Sequence, residues 1–273
     1  MKCVSTVFFS FALIILTGPA NATIYDEFRG IRSSGMGGVH RGIGTSNDAI
    51  VLNPAGMAIS TRYSIDLSYA YNHREDLSRA HFSAVDSKSS PIAAGIGYTY
   101  VRGDPENLDP SLHFIYLAMA YRISDSIAFG LSSKNIRGEF NLNDELDTLS
   151  VYSGDIGVQI NIGDSLSAGL TYHNILKTNY PDFTPPIIGA GIAFRWNELV
   201  VATDLDANIS AADSTEMTYR AGAEYFYNRI APIRIGYTRS PYYKNDGTKS
   251  EEDKLSCGLG YLSQTGSVDF SFE

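Results

Sequence analysis

Residues 62–71 read RYSIDLSYAY. Tyr63, Ile65, Leu67, Tyr69 and Tyr71 alternate there with Ser64, Asp66 and Ser68, which is the two-residue period of a β-strand carrying one apolar and one polar face. The same period returns along the chain. Ile92, Ala94, Ile96, Tyr98 and Tyr100 alternate with Ala93, Gly95, Gly97 and Thr99, and Ile156, Val158, Ile160 and Ile162 with Gly157, Gln159 and Asn161. Leu166, Ala168, Leu170 and Tyr172 oppose Ser167, Gly169, Thr171 and His173, and near the end Leu255, Cys257, Leu259 and Tyr261 oppose Ser256, Gly258 and Gly260.

A β-sandwich also alternates, but its apolar faces must fill a packed core with Val, Leu, Ile and Phe along their whole length. Here aromatic residues gather at strand ends: Tyr69 and Tyr71, Tyr98 and Tyr100, Tyr121, Tyr172, Phe194 and Trp196, Tyr225 and Tyr227, Tyr237 and Tyr261. Those are the positions of the interfacial girdles of a membrane barrel, and glycines and serines on the opposite face suit a narrow lumen. Connections supply a second test, because bacterial barrels alternate short periplasmic turns with longer surface loops. Long ones fall near 73–79, 102–110, 137–149, 174–186, 208–215 and 240–253, with short ones between them. The segments number about thirteen, each near the roughly 9 to 11 residues that a tilted span needs. Single-chain bacterial barrels usually have even counts, so either a closing strand is missing after the final GSVDFSFE or the weak segment Ala80–Asp86 is not a span. The expected fold is therefore all-β, a transmembrane antiparallel β-barrel of 12–14 strands.

Composition narrows the function. The chain has 273 residues, a formal charge of −9 and no basic run, which argues against nucleic acid as a partner. Met1 and Lys2, the apolar run Val4–Leu16 and the small-x-small triplet Ala20, Asn21, Ala22 form a signal peptide, with cleavage expected after Ala22. Residues 1–22 are thus a leader, export is to the outer membrane, and outer-membrane lipid is a partner. Cys3 departs with the leader, so Cys257 alone remains and no intrachain disulfide framework forms.

Catalytic chemistry is hard to find. His40, His73, His81, His113 and His173 are dispersed without metal-ligand spacing, and no Gly-x-Ser-x-Gly elbow occurs. Asp204, Asp206 and Asn208 begin like a calcium loop, but Ile209 stands where that loop needs glycine and Thr215 where it needs glutamate. No enzyme activity, cofactor or metal is expected. The run Asn143–Asp147 reads as a solvated loop.

The charges on inner faces carry more information. In the hairpin centred near position 212, Asp204 and Arg220 are equidistant from the centre, and in the one centred near 229 so are Glu224 and Arg234. Each couple should face across two neighbouring strands as an ion pair in the lumen.

One segment has neither strand nor helix period: GMGGVHRGIGTSNDAIVLNPAGMA, Gly35–Ala58. A glycine pair with an intervening residue, Gly42 and Gly44, is not followed by the lysine and serine of a phosphate loop. Instead Gly35, Gly37 and Gly38, then Asn47, Asp48 and Ala49, then Asn53, Pro54, Ala55 and Gly56 resemble the N-terminus of the FadL family of outer-membrane transporters for fatty acids and other hydrophobic compounds. They are equally similar to the related PorV group, barrels acting in protein secretion. The phrases VVATDLDA, YRAGAEYFY and IRIGYTRS resemble the C-terminal half of that superfamily.

The resemblance implies that residues 23–61 fold back into the lumen as a plug ahead of a barrel at 62–273, with Pro54 setting a bend and Asn53 binding freed backbone groups. It implies passive uptake of a hydrophobic small molecule gated by the plug, or alternatively a non-transporting barrel that docks a secreted protein. The connections RGDPENLDP and KNDGTKSEED are polar, and only ILKTNYPDFTPP, Ile175–Pro186, offers Tyr180 and Phe183 as apolar contacts.

Overall fold

The computed structural model describes residues 7–16, 28–73, 76–103, 111–142, 145–180, 183–210, 215–243 and 248–273. Among these, fourteen strands close a barrel. In chain order they are β1 (Val7–Leu16), β2 (Tyr63–Asn72), β3 (Leu77–Asp86), β4 (Ile92–Arg102), β5 (Ser111–Arg122), β6 (Ile127–Leu142) and β7 (Glu145–Ile162). They continue as β8 (Leu166–His173), β9 (Ile187–Trp196), β10 (Leu199–Asn208), β11 (Glu216–Tyr227), β12 (Ala231–Tyr243), β13 (Lys249–Leu262) and β14 (Gly266–Phe272). Strands β2 to β14 follow one another around the wall as an antiparallel meander, and β1 lies between β14 and β2, parallel to both.

The closure resolves the odd strand count that the sequence left open. The segment Ala80–Asp86 is a true span inside β3, paired to β2 on one side and β4 on the other. The seam is filled by Val7–Leu16, the apolar run read as part of the leader, whose backbone satisfies the edges of β2 and β14; an open edge in lipid would cost several kcal/mol per unsatisfied group. The cleavage position after Ala22 lies outside the described residues.

Two expected surface loops are also largely strand. β6 and β7 stay paired up to Leu142 and Glu145, and β12 and β13 up to Tyr243 and Lys249. Polar sequence does not prevent this, because paired strands satisfy each other's backbone groups in water as well as in lipid, and Ile136, Leu149 and Val151 keep an apolar inner face there. The central parts of the expected loops 102–110 and 240–253 lie outside the described residues.

Alternation sets the two faces of the wall. Leu67, Ile96, Leu117, Met119, Leu170, Ile192, Ile235 and Leu259 point outward and are exposed. Tyr121, Trp196, Tyr225, Tyr227 and Tyr261 ring the outside at the end with the short turns, and Tyr69, Tyr98 and Tyr219 lie toward the other end. The inner face carries Ser83, Thr99, Ser132, Gln159, Thr171 and Ser256, all buried.

Candidate functional site

What buries those inner positions is the segment Phe28–Met57. It runs through a short helix α1 (Ile31–Gly35), a second single turn α2 (Ala49–Leu52) and a 3₁₀ turn, Pro54–Ala58, before entering β2. Pro54 stands at the start of that turn, where its missing N–H is not needed. Asn53 is fully buried, and its Nδ2 donates to the Arg41 carbonyl at 3.1 Å, the Val158 carbonyl at 3.3 Å and Gln159 Oε1 at 3.0 Å.

The segment fits because the wall carries glycine where the two come closest. A Cβ on Gly95, Gly130, Gly157, Gly169, Gly222 or Gly236 would meet Met57, Ala55, Asn53, Arg41, Met36 or Gly37 within 3 Å, distances that real Cβ atoms do not show. The seat is reciprocal. Gly37 and Gly38 take φ of +69° and +79°, which glycine alone enters without strain, and a Cβ on Gly37 would strike the backbone of Tyr237. Gly35 packs against Gly258, and Gly56 against Gly44, at similarly close range.

Ion pairs fix the segment to one side of the wall, at β10, β11 and Glu273 beyond β14. Glu224, with a wholly buried side chain, receives Arg32 Nε at 3.1 Å from the plug and Arg234 Nε at 2.8 Å from β12. Arg234 also reaches Asp269 at 2.5 Å. The register sets Asp204 opposite Arg220 and Glu224 opposite Arg234. The first couple differs from the sequence expectation, because Arg220 bonds to Asp206 instead, while the Asp204 carboxylate accepts the backbone N–H of His40 (2.8 Å) and of Arg41 (3.0 Å) and lies 3.5 Å from Arg41 Nη1. Arg41 completes the set with Asp206 at 2.9 Å. A buried carboxylate needs the nearest cation and all available donors, and the plug brings both closer than the neighbouring strand does.

Beside this set, Asp155 on β7 takes Lys134 at 3.2 Å, Ser132 at 3.0 Å and the Asn174 backbone N–H at 2.8 Å. Lys134 and Asp155 were not among the charges singled out in the sequence; their inward positions on alternating strands are the signal that would have found them. Arg32 and Arg41 carried no such signal, since their partners lie 192 and 163 residues away.

The other side of the lumen, β3 to β7, carries two apolar clusters, with His81, Ser83, Thr99, Ser132 and the Lys134–Asp155 pair in the rows between them. In one cluster the plug residues Ala49–Leu52 and Met57 pack on Val85, Ala93, Tyr116, Ala118 and Ala120. In a second, Leu77, Val101, Leu112, Ile136, Leu149 and Val151 meet Phe183 from the β8–β9 connection, with Tyr180 against it edge-on at 6.0 Å. Phe114 packs against both clusters and joins them. Outside the wall at its lower end, a depression of about 500 Å³ is lined by Tyr63, Ile65, Ala84, Ala94, Gly95 and Ile96. Plug residues Ile50 and Met57 stand directly behind Gly95. Among the described residues, no group of three or more His, Cys, Asp or Glu is placed to hold a metal ion.

No family model and no curated protein matches this sequence. Three solved structures share the fold. The CymD monoaromatic hydrocarbon channel aligns over 89% of this chain and 91% of its own at 15% identity and a TM-score of 0.64. The Ralstonia pickettii toluene transporter TbuX aligns over 91% and 93% at 14% identity and 0.60, and the Pseudomonas putida toluene transporter TodX over 85% and 88% at 14% identity and 0.56. The chain therefore shares the barrel fold of these three proteins.

Proposed function

We propose that this chain is an outer-membrane barrel of the FadL-like superfamily that admits hydrophobic small molecules passively while residues Gly35–Ala58 gate the lumen; its leader is removed after Ala22 during export, which takes β1 out of the seam and brings β14 against β2 in the mature barrel. The observation that carries this reading is the division of the lumen. Ion pairs hold the plug to β10 and β11, and two apolar clusters on β3–β7 are joined through Phe114. Apolar solutes partition to such a surface at roughly 25 cal/mol per Å² removed from water, and they gain nothing from the charged side. A molecule entering under Tyr180 and Phe183 would pass Phe114 and reach Ile50 and Met57, from which the depression at Gly95 offers a way through the wall.

The test is Phe114→Asp, which places a carboxylate at the junction of the two clusters. Uptake of radiolabelled toluene and of dodecanoate by cells expressing this variant should fall on the order of tenfold, the cost of desolvating a charged group along the path. Heat-modifiable gel migration checks that the barrel still forms. Unchanged uptake by a folded variant would sink the proposal.

A PorV-like docking role has one observation of its own. Strands β6 and β7, at 16 and 18 residues, are longer than a span requires and extend as a paired hairpin at the long-connection end. On that reading Phe114→Asp leaves uptake untouched, while shortening the hairpin abolishes retention of the exported partner.

A further inference from the structure

The outer face of β4–β7 carries a second feature that transport does not use. Tyr100, His113 and Arg137 stand side by side across three strands, with Tyr98 and Tyr152 one row nearer the barrel's middle. The His113 ring stacks 4.9 Å from Tyr100 and 6.0 Å from Tyr98, and its Nδ1 is hydrogen-bonded to the Tyr98 hydroxyl at 2.7 Å. The Arg137 guanidinium lies 5.9 Å over the Tyr152 ring and donates through Nη2 to its hydroxyl at 2.6 Å. It is exposed, held in place, and keeps further N–H donors turned outward. Arg102 is exposed one row farther out on β4.

Several exposed cations elsewhere are paired, while Arg195 and Lys177 are exposed with no carboxylate within 4.0 Å among the described residues. Arg239 pairs with Asp253 at 2.7 Å, Arg229 with Glu198 at 3.1 Å and Arg122 with Asp125 at 3.6 Å. Among the described residues no carboxylate lies within 4.0 Å of Arg102 or Arg137, although Glu139 shares their face, across β5 from Arg102. Among the described residues this face thus sets two guanidiniums against one carboxylate, Glu139. Exposed Ile96, Ile115, Leu117 and Met119 lie immediately toward the middle of the wall. Cations and rings just beyond an apolar belt are positioned for lipid headgroups. A guanidinium binds phosphate through two parallel N–H donors, and tyrosine rings stack against sugar faces.

We propose that Arg137 and Arg102, with the Tyr98–His113–Tyr100 stack, bind the phosphorylated sugar headgroup of an outer-leaflet glycolipid. The inference rests on the outer-membrane reading above but not on transport. The test uses the detergent-purified full barrel and two probes, bisphosphorylated lipid A and the same lipid dephosphorylated, with retention read by native mass spectrometry. The wild-type barrel should keep the phosphorylated form on the order of tenfold better. The double variant R102Q/R137Q should fall to the level of the dephosphorylated probe, while R122Q, at the opposite end, should behave as wild type. Equal retention of both probes by the wild type would overturn the proposal, as would undiminished retention by R102Q/R137Q, the result expected if this face serves a protein partner. Toluene uptake measured on the same variants separates the two readings: its absence in every protein would refute transport and leave the lipid result standing.

Discussion

At the residue scale, the interior is organised by carboxylates that cannot stay unpaired. Glu224 has no contact with water and two guanidinium partners, one from the plug and one from the wall. Removing one side of such an arrangement leaves an uncompensated buried charge, so Glu224→Gln should destabilise the folded barrel by about 3 kcal/mol, read as a lower urea midpoint in detergent. His40 tests the plug from the opposite direction. Burial, reinforced by the neighbouring Arg32, Arg41 and Arg62 guanidiniums, pushes its imidazole down to about 3. The folded state thus holds His40 neutral, whereas the unfolded chain takes up a proton below about 6.5. Its contribution to stability is complete above that pH and shrinks by about 1.4 kcal/mol per unit as pH falls from there toward 3. Urea midpoints at about pH 7.5 and about pH 5 should therefore differ more for the wild type than for His40→Gln; equal differences would show that His40 is not buried neutral. Of these residues Glu224 and Arg234 were legible in the sequence, because hairpin symmetry fixes which positions face each other. The exchange of Asp204 from Arg220 to Arg41 was not, because a register says nothing about a segment packed inside the barrel.

At the scale of elements, alternation placed most strands, while the glycines along the inner faces have a reason that pattern alone could not supply. They read as features of a narrow lumen, yet at six or more of them a Cβ would enter the plug. Gly130 and Gly97 form a controlled comparison. A methyl at Gly130 strikes the Pro54–Ala55 backbone, which cannot yield, and at Gly97 it meets Tyr116 at an ordinary 3.4 Å. Gly130→Ala should unseat the plug and make residues near Ala55 accessible to protease in the folded barrel, and Gly97→Ala should leave digestion unchanged. Protection of both variants alike would mean that the wall and plug adjust freely. The same logic explains the two connections misread as loops: hydropathy ends where lipid ends, but backbone pairing in β6–β7 and β12–β13 continues for as long as two strands lie side by side.

At the scale of the whole molecule, the segment Phe28–Met57 lies inside the wall and covers its inner face, and the proposed gate is tested by its removal. Deleting Gly35–Ala58 should raise conductance in planar bilayers, and an unchanged conductance would show that another element closes the lumen. The amino-acid sequence by itself determined the barrel, its two faces, the aromatic girdles and the presence of a glycine-rich segment ahead of the first strand, since each follows from short-range periodicity and composition. Only the tertiary structure decided how the barrel closes, that the charges holding the plug lie on β10 and β11 and the apolar clusters on β3–β7, and which plug residues meet which carboxylates. Those features join residues more than a hundred positions apart, and the free energy that selects them, the pairing of buried charge and the exclusion of water from packed surface, exists only once the chain has come together.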